Sequence, residues 1–160
     1  MPDQKMAVRT EPYDSLTEAV DQLLNRFPVL GEGERIRFSS LEDTSVGETA
    51  GLAWFPLEGE AVESVKGSVG GRTVSDCRYP VKAVMRISPE ETKRRDAKKF
   101  LDALGEWVFS LPKEDYPELA GKKRLTGIVP QSWGYREKPE GGGWEDWAIT
   151  LSFRYTWEQE

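Results

Sequence analysis

The feature that most constrains the fold is a strand running directly into an amphipathic helix between residues 79 and 111. Tyr79, Val81, Ala83, Met85 and Ile87 alternate with Pro80, Lys82, Arg86 and Ser88, the period-two pattern of a strand with one buried face. Val84 is the one apolar residue out of step. Ser88-Pro89-Glu90-Glu91 then reads as a helix start. Ser88 is the cap, Pro89 sits where a missing N–H costs nothing, and Glu91 closes a capping box. Ala97, Phe100, Leu101, Leu104, Trp107, Val108 and Leu111 follow on one stripe at helical spacing. A strand and a helix that each bury one side must share a core, which commits the chain to helices layered on a sheet.

The flanking sequence extends this pattern. Ser15-Leu16-Thr17-Glu18 is another capping box and opens a helix to about Phe27. Its Leu16, Ala19, Val20, Leu23, Leu24 and Phe27 share one face, and Pro28 bars continuation. Arg35–Ser40 alternates as a short strand, Leu41–Gly51 reads as a polar loop, and Leu52–Leu57 as a short apolar strand. From Glu60 to Val74 the valines around Gly67 and Gly70-Gly71 read as the outer arm of a hairpin, the glycine pair supplying positive φ at the turn. Residues 73–88 form its return arm, and Pro112–Lys123 is a polar connector.

At the far end Trp147, Ile149, Leu151, Phe153, Tyr155 and Trp157 alternate with Ala148, Thr150, Ser152, Arg154 and Thr156, and Arg124–Arg136 is the expected partner, joined through Lys138–Gly143. The expected order is α-β-β-β-α-β-β. This is an α+β domain over residues 14–160, behind a flexible lead-in at 1–13: a mainly antiparallel sheet with two helices packed on one face.

Composition narrows the chemistry. A chain of 160 residues, 38 % apolar and 31 % charged, suits one soluble folded domain. Met1–Tyr13 lacks the apolar run of a signal peptide, and no segment is long enough to span a bilayer. The single cysteine, Cys77, cannot form an internal disulfide, so a cytoplasmic protein is expected. Histidine is absent. That removes Ser-His and Cys-His catalysis, histidine proton shuttles and the commonest metal ligand. With one cysteine, ordinary zinc sites are excluded too. The net charge of −6 tells against a nucleic-acid binder, whose affinity comes mainly from neutralising phosphates.

Four features remain as candidate sites. Gly67–Arg72 lacks the Lys-Ser/Thr and following helix of a phosphate loop and reads as a hairpin turn. Arg94, Arg95, Lys98 and Lys99 fall on the helix side opposite the apolar stripe, where Glu91–Arg95 and Lys98–Asp102 are spaced to pair. Acids cluster at Glu58, Glu60 and Glu63, at Glu114, Asp115 and Glu118, and at Glu140, Glu145 and Asp146, read as solvated loop charges. Trp133, Tyr135, Trp144 and Trp147 crowd one hairpin, as in a core edge, a subunit interface or a sugar-stacking platform.

Arg78–Leu111 followed by the terminal hairpin resembles the minor-capsid and tail-terminator proteins of siphophages and their prophages. The corresponding parts are Leu16–Phe27, Ala61–Ile87, Pro89–Leu111 and Leu125–Trp157. The resemblance is one of order and pattern over most of the chain after residue 13. It implies a structural protein with no catalysis and no cofactor, present in the host cytoplasm during assembly and then in the virion tail. It also implies self-association into a ring, a hexamer on the tail, with tail tube and head-connector proteins as partners and no membrane. DNA would pass through without specific binding, which the acidic balance suits. On this reading the basic helix face meets acidic loops of a neighbour such as Glu58–Glu63. An aromatic-platform module binding carbohydrate or peptide through residues 131–147, and a carboxylate-dependent enzyme, are the alternatives.

Overall fold

The computed structural model describes residues 11–39, 41, 51–67, 70–141 and 143–159, with backbone only for 139–141. Residues 1–10 of the lead-in expected over 1–13, Ser40, and most of the loop expected at 41–51 lie outside these residues, while Tyr13 is buried and bridges to Leu119 in place of a flexible end. Among the described residues there are two α-helices and seven strands: α1 (Leu16–Leu24), β1 (Arg37–Phe38), β2 (Gly51–Pro56), β3 (Val62–Gly67), β4 (Thr73–Ile87), α2 (Glu91–Ser110), β5 (Lys123–Pro130), β6 (Tyr135–Gly141) and β7 (Trp144–Gln159). The class is α+β, with a mixed and mostly antiparallel sheet.

Two long strands, β4 and β7, pair antiparallel without interruption from Thr73↔Gln159 to Ile87↔Glu145. Their odd-numbered residues face the helices. Val81, Ala83, Ile149, Leu151 and Phe153 are all buried in one core with Leu23, Leu24, Leu101, Leu104 and Val108. Shorter strands flank this pair in broken lines. β2 and β3 lie along the outer side of β4, β5 and β6 along that of β7, and β1 adds parallel to β2.

Beside β4 the broken line matches the two separate pieces that the sequence pattern suggests, whereas beside β7 two strands replace the single partner expected over Arg124–Arg136. Pro130 has no N–H to continue a ladder, and the chain leaves the sheet for Gln131–Gly134 before β6 begins. At Gly70 and Gly71, φ values of 91° and 79° make the expected hairpin turn.

Both helices pack on the same sheet face, and Phe27, three residues past the end of α1, meets α2. The Phe27 ring meets Phe100 edge-on at 5.3 Å and Trp107 at 5.4 Å. Ser15 caps α1 through Glu18 N–H, as its capping box requires. Asp21 then ties α1 to the sheet, accepting from Trp54 Nε1 at 2.9 Å and pairing with Arg35 at 2.6 Å. The second capping box does not form. Ser88 makes no cap bond, Glu90 N–H folds back to Ser88 C=O, and α2 begins at Glu91 with Glu90 as its cap residue. Three residues are needed to turn the chain from the sheet plane onto the helix layer, so the helix starts late.

Leu104 is fully buried at the centre of the α2 stripe. Leu104→Ala is therefore expected to cost about 2–5 kcal/mol of unfolding free energy in chemical denaturation. A loss below about 0.5 kcal/mol would be that of an exposed residue, and incompatible with this core.

Candidate functional site

One carboxylate organises the junction of α2 and β7. Glu145 is buried at the helix-facing end of β7, where Arg94 donates to it twice, at 2.7 and 3.2 Å. Trp147 Nε1 donates a third bond at 2.9 Å, and Arg136 lies 3.8 Å away. The Arg94 guanidinium, ahead of the opposing effect of burial, holds the Glu145 carboxyl below its usual range. On the opposite sheet face Arg86 grips Asp146 with two bonds of 2.8 and 3.0 Å.

These contacts correct two expectations. Arg94 does not belong to the solvated basic face, because its first-turn position aims it down at the sheet. Glu145 and Asp146 are buried structural partners of arginines, and not loop charges. The signal was present in the alternation. Stepping back two from Trp147 along the inward row lands on Glu145.

A second constellation holds Trp133. Gln131 and Ser132 N–H both donate to Thr150 C=O, and Ser132 Oγ accepts from Thr150 N–H at 3.1 Å. On the helix side, Gly134 N–H donates to Asp102 at 2.7 Å and Lys98 Nζ donates to Gly134 C=O at 3.0 Å. Trp133 is thereby laid against Gly105 of α2, where a Cβ would sit 3.2 Å from the indole and 2.7 Å from Ile149. Half of Trp133 stays exposed, as does much of Phe109, one helical turn beyond Gly105.

The other aromatics do not join it. Tyr135 stands opposite Ala148 on the sheet face away from the helices, and Trp144 falls on that same side by alternation. Trp147 points inward to Glu145. The residues 133–147 thus present aromatics on two sides of the sheet, and the geometry does not assemble one stacking platform.

The face of the sheet away from the helices carries no helix among the described residues. Its centre is lined by small buried residues, Ala53, Val84 and Ala148, beside the Lys82–Glu137 ion pair at 2.7 Å. Lys82 also lies over the Phe55 ring. Burial first, and then the nearby Glu137 charge, pushes the Tyr135 hydroxyl above its ordinary value. Cys77 is buried and burial pushes its thiol up, which leaves it an unreactive core residue.

On the α2 flank the spacing argument holds. Arg95 pairs with Glu91 at 2.7 Å and Lys98 with Asp102 at 3.1 Å, while Lys99 is exposed. Glu58, Glu60 and Glu63 are exposed along the link from β2 into β3, every residue of which is exposed, including Val62 and Val65. Among the described residues no group of histidine, cysteine and carboxylate side chains could hold a metal ion, and no helix is long and apolar enough to cross a membrane. Comparison of the sequence with protein-family models and with curated proteins returns no match.

The depressed Glu145 carboxyl fixes a pH dependence. Its contribution to stability is complete above the ordinary carboxylate pKa of about 4.3 and is lost as pH falls through the lower folded value. Glu145→Gln is expected to cost about 1–3 kcal/mol near neutrality. The gap between the two proteins should close on acidification, as read from denaturation curves taken across pH.

Proposed function

We propose that this chain is a phage tail terminator or head–tail joining subunit that caps the tail tube as a ring. The observation that carries the reading is the outer strand of the β3–β4 arm. Every residue of β3 is exposed, with the apolar Val62 and Val65 among them. Apolar side chains left bare on an outer strand mark a contact surface. A ring subunit needs one such surface to donate and another to accept.

The resemblance in element order adds to this, and the role asks for neither catalyst nor cofactor. The acidic balance lets DNA pass through the ring without sticking. In place of the contact with a neighbour's Glu58–Glu63 loop expected from the sequence, the outer face of α2, with Arg95, Lys99, Phe109 and the rigidly held Trp133, meets the tail tube in this reading. The opposite end of the ring receives the head connector. Trp133 has the character of an interface anchor: a large aromatic fixed by its loop before any partner arrives.

Arg95→Glu combined with Lys99→Glu tests the role, since both side chains are exposed and the fold should survive. Overlong tails in a complementation assay read by electron microscopy are expected. Tails of normal length with full infectivity would remove this face from the tube contact. Trp133→Ala is expected to weaken capping as well. Loss of sugar binding with tails unchanged would assign the chain to the carbohydrate-binding class instead.

A further inference from the structure

We propose that the subunits associate head to tail by adding the β3 edge of one copy to the β5 edge of the next. This deepens the ring reading above and rests on it for closure of the ring. At the end of the sheet nearest the Gly70-Gly71 turn the strand order is β3-β4-β7-β5, and no further strand lies outside β3 or β5 among the described residues. Each neighbour in this order is antiparallel to the next. β3 and β5 therefore run in opposite directions. Placing β5 of a second copy beside β3 continues the sheet in the favourable antiparallel sense without inverting either molecule.

The registers align the two edges level with each other. One row across the sheet reads Ser64, Asp76, Thr156 and Arg124, and the next reads Val65, Ser75, Trp157 and Lys123. Their charges are opposite. The β3 side brings Glu58, Glu60 and Glu63, with Glu63 at the bulge beside Ser64, whereas the β5 side brings Lys123 and the exposed Arg124.

Beside β5 lies a cleft of about 520 Å³, whose apolar wall is Tyr116, Pro117, Leu119 and Leu125. The exposed Val62 and Val65 of the arm are the residues to fill it. Glu114 and Glu118, which also line the cleft, complement Lys66, the one cation of β3. Pairing of β5 with β5 would oppose Lys123 and Arg124 to their own copies, so charge selects the unlike pair.

Ser64→Cys with Arg124→Cys in one chain tests the geometry. Within a subunit the two sites are three strand spacings apart, roughly 14 Å at about 4.8 Å each, beyond the reach of a disulfide. The native Cys77 is buried. Oxidation of the purified, concentrated protein is expected to give a ladder of covalent dimers, trimers and larger species. Either single substitution alone should give none. In sedimentation of protein without these cysteines, mass should rise with concentration and more steeply at low salt. Glu63→Arg should abolish the rise, and Glu63→Arg with Arg124→Glu should restore it.

A covalent dimer from Ser64→Cys alone would overturn the proposal in favour of β3 pairing with itself. Absence of both the ladder and the mass change would also overturn it. Tail length decides the role separately. A ladder from a protein that never caps tails keeps the contact and removes the role, while normal capping by Glu63→Arg protein keeps the role and removes the contact.

Discussion

Everything in the molecule hangs on the antiparallel pairing of β4 with β7. The pairing runs the full fifteen residues of β4 without a bulge, so every odd residue of one strand meets an odd residue of the other. A slip of one position would send Val81, Ala83, Ile149, Leu151 and Phe153 to the wrong face together. Burial of a large apolar side chain among these is worth about 1.5–3 kcal/mol, so the penalty for a slip is many times any local preference. β2, β3, β5 and β6 each pair with one of these two strands, and both helices lie on the floor they make. Irregularities are confined to the outer strands, in the bulges of β3, β5 and β6.

A sheet covered on one side must keep its other side soluble without loosening its register. Here the centre is closed with small side chains, and charged pairs stand around them. Lys82–Glu137 links β4 to β6, and Arg86–Asp146 links β4 to β7. Half-buried pairs of this kind add little net stability, but a shifted strand would strand their charges. Glu145 does the equivalent on the helix side, where a displaced α2 would leave a buried carboxylate without Arg94.

The parts of the fold legible in the sequence are those where one periodicity acts alone. The β7 alternation, the α2 stripe and the Ser15 cap all appear where local pattern and tertiary packing agree. Val84, out of step in the pattern, lies on the outer face between the fully buried Ala53 and Ala148, where a valine fills space left by two alanines. The Ser88 capping box failed because chain direction at the sheet edge outweighed a local bond worth about 1 kcal/mol. The role of Arg94 is not legible in the sequence, because its partner Glu145 is 51 residues away and helical spacing alone assigns a charged residue to solvent. The aromatic cluster misled for a related reason. Proximity along a hairpin says nothing about which side of the sheet each ring occupies, and the Gln131–Gly134 excursion moved Trp133 to the helix layer.

The central pair also dictates when the molecule can fold. β7 comes after all the other described elements, so a nascent chain on the ribosome can form the β3–β4 hairpin and dock α1 long before β4 finds its main partner. Throughout synthesis of α2, β5 and β6 the inner edge of β4 stays bare, with its inward row of apolar residues only partly covered. Contacts of such sequence separation form slowly and expose sticky intermediates. Ile87 must wait for Glu145 and Thr73 for Gln159, and a message broken before β7 would release two halves of a sheet with no seam between them.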